Sequence, residues 1–259
     1  MNINSKTTIS EGDTPMNTNR QTVIKESKMK LTTPKLIRWA GISAMVAGIF
    51  YMLVGMFHPL NVLSSVTTTR WVIVHILATA MCFFVLIGLA GLYARQAEKS
   101  GWLGLAGFFL YSLSWVLTLG YTFAEVFILP LLATQAPSYV QGFLGAYSSS
   151  ADPNFALLAN LWTVTGVLYI LGGLLFGIAT FRARILSRWA GGLLAVGSIL
   201  SPLAALLPHQ YEPLVAVPVG LALTLLGYSL FSERRAPATE PAPCREVPIS
   251  AIPEPSNIA

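Results

Sequence analysis

Three histidines and one glutamate carry most of the chemistry that this 259-residue chain sets within or beside its apolar stretches. His58, Glu125 and His209 lie 19, 23 and 20 residues beyond Trp39, Trp102 and Trp189, and each of those tryptophans opens a long apolar run. At about 1.5 Å of rise per residue they sit roughly 28–34 Å along their helices, about one hydrocarbon thickness away. His75 lies one turn past Trp71, in a run that starts from the opposite side. Imidazole nitrogens and a carboxylate at one level are a donor set for a divalent metal. The same groups suit a general base beside a lipid-facing substrate. Each comes from a different helix, and the chain has neither a His-Glu-x-x-His motif nor a His pair at i,i+4. A second reading needs no site, because His and Glu near lipid headgroups stay hydrated at little cost. His58, His75, Glu125 and His209 are therefore candidate metal ligands, and no residue is marked as catalytic.

The elements that must position them follow from composition. The chain is 54% hydrophobic and 10% charged, against about 25% charged for a soluble domain. Too few charges are present to cover a water-soluble core of this length. Six apolar segments, 39–57, 71–93, 102–129, 156–181, 190–207 and 214–231, each come near or exceed the roughly 18–20 residues that span a bilayer. The expected fold is all-α, a polytopic transmembrane six-helix bundle over 36–231. A polar cytoplasmic arm over 1–35 and a proline-rich cytoplasmic tail over 232–259 read as disordered. Pro202 and Pro218 are expected to kink the last two helices. Residues 133–155 read as a long loop whose Tyr139, Phe143 and Tyr147 would lie over the histidine level. Cys82 sits within an apolar run and Cys244 in the tail, which argues against a disulfide between them.

Charge sets the direction of the helices. Lys35 and Arg38, Arg95 and Lys99, Arg182, Arg184 and Arg188, and Arg234 and Arg235 fall on one side, against Arg70 alone on the other. By the positive-inside rule both termini are cytoplasmic, and the location is the cell inner (plasma) membrane. The net charge of +5 is a topology signal rather than a nucleic-acid footprint. Arg182, Arg184 and Arg188 also suit an anionic lipid. No charge lies at mid-depth, which argues against a proton-coupled carrier. An exporter or permease would rely on Ser114, Thr118, Asn160, Thr163 and Thr165. Gly41, Gly48 and Gly55 on one helix and Gly166, Gly173 and Gly177 on another offer smooth faces for packing within the bundle, or for a homo-oligomer.

The words Leu36-x-Arg38-Trp39-Ala40-Gly41 recur as Leu186-x-Arg188-Trp189-Ala190-Gly191. With Gly48, Tyr51, Gly55 and His58-Pro59, the first resembles the opening of small, uncharacterised six-span bacterial inner-membrane proteins. The resemblance implies that location and brings no activity or site with it. The leading expectation is a non-enzymatic membrane protein that binds or organises lipids or partners. An outer-leaflet metal or enzymatic site and a small-molecule exporter are the alternatives.

Overall fold

The computed structural model describes residues 33–147, 152–202 and 212–233. His209, both long terminal segments, Cys244, Arg234 and Arg235 lie outside them. The described residues are helical and contain no strand: α1 (Thr33–Phe57), α2 (Leu63–Val66), α3 (Thr69–Phe127), α4 (Leu129–Leu132), α5 (Pro137–Gly145), a 3-10 turn (Pro153–Phe155), α6 (Ala156–Ala183), α7 (Arg188–Leu200) and α8 (Glu212–Ser232).

At 59 residues, α3 would be about 88 Å long if straight, nearly three hydrocarbon thicknesses. It is not straight. Gly101 has φ 56° and ψ −158°, a conformation that a residue with a Cβ rarely adopts, and the chain reverses there. Trp71 Nε1 donates to the Glu125 carbonyl at 2.8 Å, and the Tyr93 ring stacks on Phe108 with centroids 4.8 Å apart. Arms 69–100 and 102–127 are therefore antiparallel. The polar stretch Arg95–Ser100, expected between two helices, completes the first arm.

Four helices are long and apolar enough to cross a membrane: α1, α3, α6 with its preceding turn, and α8. At 13 residues, α7 is shorter than the expected 190–207. Its regular part stops two residues before Pro202, which has no N–H to bond back to Ser198.

Glycine and alanine decide which helices touch. A Cβ on Gly48 would lie 2.3 Å from the Gly220 carbonyl oxygen, and one on Gly41 would lie 2.9 Å from that of Gly227. Gly55 faces Ala216, so the seven-residue glycine spacing of α1 lies along α8. Gly88 and Gly91 of the first α3 arm rest on Ala44 and Ala40. In the second arm, Gly107 meets the backbone at Phe176, while Gly172 of α6 meets that at Tyr111. Gly177 and Gly191 join α6 to α7, and α7 returns to α8. The ring of contacts thus closes, and all of these glycines are covered within one chain.

One end of this ring carries Trp39, Trp102 and Trp189, which are 63%, 85% and 74% exposed. Arg38 lies over the Phe231 ring, Arg188 lies over Phe181, and Arg95 pairs with Glu233. At the opposite end α2, α4 and α5 form a small apolar cluster of their own with Val66, Trp71, Tyr121 and Leu129.

Gly48→Ala is expected to lower stability by about 1–3 kcal/mol through overpacking. Gly120→Ala, where a Cβ meets nothing within 4 Å, should be neutral or gain up to about 1 kcal/mol from helix propensity. Denaturation in mixed micelles followed by circular dichroism measures both, and equal losses would contradict the packing account.

Candidate functional site

The apolar cluster at the capped end closes over a buried polar group. Residues 133–155, expected as a loop, contain α5, whose Val140, Phe143 and Leu144 are buried. Beneath it Glu125 is 7% exposed and His75 1%. His75 Nδ1 lies 2.8 Å from the Trp71 carbonyl, and the Trp71 indole stacks on the imidazole with centroids 4.0 Å apart. His75 Nε2 faces Glu125 Oε2 at 3.4 Å and makes no hydrogen bond of ordinary geometry. The other carboxylate oxygen accepts from the Tyr147 hydroxyl at 2.7 Å. Burial pushes the Tyr147 phenol well above its ordinary pKa, and the adjacent Glu125 carboxylate pushes it the same way, so Tyr147 remains a neutral donor. The His58 ring stands edge-on to His75 at 5.2 Å and lines a surface cleft of about 490 Å³ with Pro59 and Arg70.

Proton counting defines what this group can hold. A carbonyl oxygen only accepts, so Nδ1 of His75 carries a proton. In the neutral ring Nε2 then presents a lone pair to Glu125. With no proton between them, two lone pairs oppose each other. One proton makes the contact attractive, as imidazole with carboxylic acid or as imidazolium with carboxylate. The 3.4 Å separation also matches the edge of a tetrahedral sphere with ligands at about 2.0–2.1 Å. A backbone carbonyl on the second ring nitrogen is the usual way to orient a metal-ligating histidine. The structure thus brings His58, His75 and Glu125 together. Among the described residues, however, no three His, Cys, Asp or Glu side chains form a set able to hold a metal.

A second constellation escaped the sequence reading. A cavity of about 340 Å³ opens between α1, the second α3 arm, α6 and the end of α7, with Tyr51, Trp115, Trp162 and Tyr169 in its walls. Tyr51 and Tyr169 meet hydroxyl to hydroxyl at 2.8 Å. Tyr51 reaches Ser201 Oγ at 3.3 Å, and Ser201 donates to the Val215 carbonyl. The Trp115 ring contacts Tyr51 at 5.9 Å and Tyr169 at 5.7 Å. Of the polar residues expected along a path, Thr118 and Thr165 line this cavity. Ser114 is buried and donates to the Tyr111 carbonyl, while Asn160 and Thr163 are exposed. The available signal was a tyrosine inside an apolar run: Tyr169 lies near the middle of α6 and Tyr51 six residues before the end of α1, where a buried phenol needs an internal partner.

The two constellations touch. Trp162 lines the cavity, its ring lies 4.8 Å from that of Tyr147, and Tyr147 holds Glu125. Compared with protein-family models, curated proteins and solved structures, the chain matches none.

Tyr147→Phe is expected to cost about 1–3 kcal/mol, because it leaves a buried carboxylate oxygen without its donor. Glu125→Gln, which keeps an acceptor for Tyr147, should cost less than Glu125→Ala. Equilibrium denaturation of the three variants measures the order, and a harmless Tyr147→Phe would mean that this bond contributes nothing.

Proposed function

We propose that the chain is a six-span integral membrane protein of a bacterial inner membrane, with its basic end in the cytoplasm, and that it works by binding rather than by catalysis. The aromatic cavity holds a small, mostly apolar molecule drawn from the bilayer. The cavity is the observation that carries this reading. Its volume lies within the range of small-molecule sites, and its walls combine apolar and aromatic surface with a few fixed polar groups.

Both arms of α3 exceed the roughly 20 residues needed to span, and the apolar α7 is the sixth crossing in this reading. The exposed tryptophans of the basic end suit the aromatic belt of a bilayer interface. On the same side Arg182 and Arg184 are exposed and Arg188 is half-buried, and this trio suits an anionic headgroup.

A second reading, a divalent metal on His75 and Glu125 with His58 and His209 completing the set, is favoured by the unpartnered Nε2 of His75 alone. Elemental analysis of the purified chain tests it. Stoichiometric metal that disappears in His75→Ala would support it, and metal-free wild type with unchanged stability under chelation would remove it.

For the cavity, Gly166 offers a plug, since it lines the space and a Cβ there meets nothing within 4 Å. Native mass spectrometry of gently purified protein is expected to find a bound small molecule. Gly166→Leu should lose that molecule while keeping the helical circular dichroism of the folded protein. Equal occupancy in the two proteins would rule the cavity out as the site.

A further inference from the structure

The protons around the cavity decide what it selects, and this step rests on reading the cavity as a ligand site. The Val215 carbonyl only accepts, so the Ser201 proton goes to it. Tyr51 must then donate to Ser201. That leaves Tyr169 as the donor to Tyr51. Thr118 donates to the Ser114 carbonyl and Thr165 to the Leu161 carbonyl, both at 2.8 Å. Five hydroxyl protons are thus spent on neighbours. The Trp115 Nε1 proton, which has no partner, belongs to an enclosed atom and does not supply the cavity surface with a donor. What these hydroxyls leave to a ligand is oxygen lone pairs, and the Trp162 indole N–H is the one other donor among the described lining residues without a described acceptor. The remaining surface includes the rings of two tyrosines and two tryptophans, whose π faces are negative. None of the described lining residues carries a charge.

From this we infer that the cavity selects a lipophilic organic cation, an alkyl- or aryl-ammonium that spreads its charge over carbon. Aromatic walls attract such a cation through the ring quadrupole, most strongly where water is excluded. A quaternary ammonium has no N–H to satisfy, and its weak hydration makes entry into a neutral pocket affordable. A small inorganic cation would lose its water with no carboxylate to replace it. An anion or a carbonyl-bearing ligand would meet hydroxyls whose protons are already engaged, with the Trp162 indole N–H as the one remaining donor.

Phenyltrimethylammonium and tert-butylbenzene have the same shape, about that of a tryptophan side chain, and differ in charge. Each is titrated into the full-length protein in nanodiscs, with binding read by tryptophan fluorescence and partition into protein-free nanodiscs subtracted. The cation is expected to bind at least tenfold tighter than its neutral isostere. Trp115→Leu, or Trp162→Leu if the first variant fails to fold, should weaken it at least tenfold. Tyr169→Phe, which keeps the ring, should change affinity less than threefold. Equal or tighter binding of tert-butylbenzene, abolished by Gly166→Leu, overturns the cation inference and leaves the cavity as a ligand site. Binding of neither compound, or binding that Gly166→Leu does not affect, overturns both.

Discussion

Close approach of helix backbones is the constraint on which the rest of this structure depends. Lipid tails are as apolar as leucine, so a bundle in a bilayer gains little from hiding apolar side chains and must gain from dispersion between surfaces that fit closely. The α1–α8 contact meets that demand with Gly41, Gly48 and Gly55 on one side and Ala216, Gly220 and Gly227 on the other. A single face of α1 is thereby committed to α8. A different face carries Tyr51 toward Trp115 and Tyr169. Ser201, tied to the Val215 carbonyl of α8, receives the Tyr51 hydroxyl because α1 and α8 lie so near each other.

The second determinant is the reversal at Gly101. A hairpin without a loop has a fixed register, so residues at similar distances from the turn become neighbours. His75 lies 26 residues before Gly101 and Glu125 lies 24 after it, which is why an imidazole and a carboxylate far apart in sequence come within 3.4 Å. The Trp71 indole ties the two arms by donating Nε1 to the Glu125 carbonyl, while the Trp71 backbone carbonyl orients His75 within its own arm. The pair therefore follows from hairpin geometry and does not depend on the cap, which shields it and adds the Tyr147 hydroxyl.

Depth was legible in the sequence and rotation was not. Counting from Trp39 and Trp102 placed His58 and Glu125 at one level because rise per residue is a property of the helix alone. The three tryptophans do crowd one end, as their spacing implied. Which faces meet depends on small-residue complementarity between helices, and one strand of sequence does not encode that pairing explicitly. Hence the Tyr51–Tyr169–Ser201 chain, drawn from three elements, went unseen, although each phenol inside an apolar run signalled a missing partner. Residues 137–145 read as loop because Pro137, Gly142 and Gly145 bracket too few turns for a periodic signal. Pro137 instead starts a helix, in the first turn, where its missing N–H costs nothing.

A buried glutamate and a ring of buried phenols would ordinarily burden a bilayer protein, since each unpaired polar atom there is costly. The interior meets part of this cost by pairing hydroxyl protons with acceptors, although the Tyr111 hydroxyl and Gln96 Oε1 have no partner. With one proton between them His75 and Glu125 would be neutral as a pair, as imidazole with carboxylic acid or as imidazolium with carboxylate. Around the cavity the five hydroxyl protons of the described lining residues go to neighbours, while the indole N–H of Trp115 has no partner. One stretch of interior is thus closed under the cap, and the adjoining one is uncharged and walled by aromatic rings. The Trp162–Tyr147 contact separates them, so the cavity lies one aromatic layer from the Glu125 carboxylate. The two constellations are therefore joined through a single ring contact, Trp162 against Tyr147, the donor to Glu125.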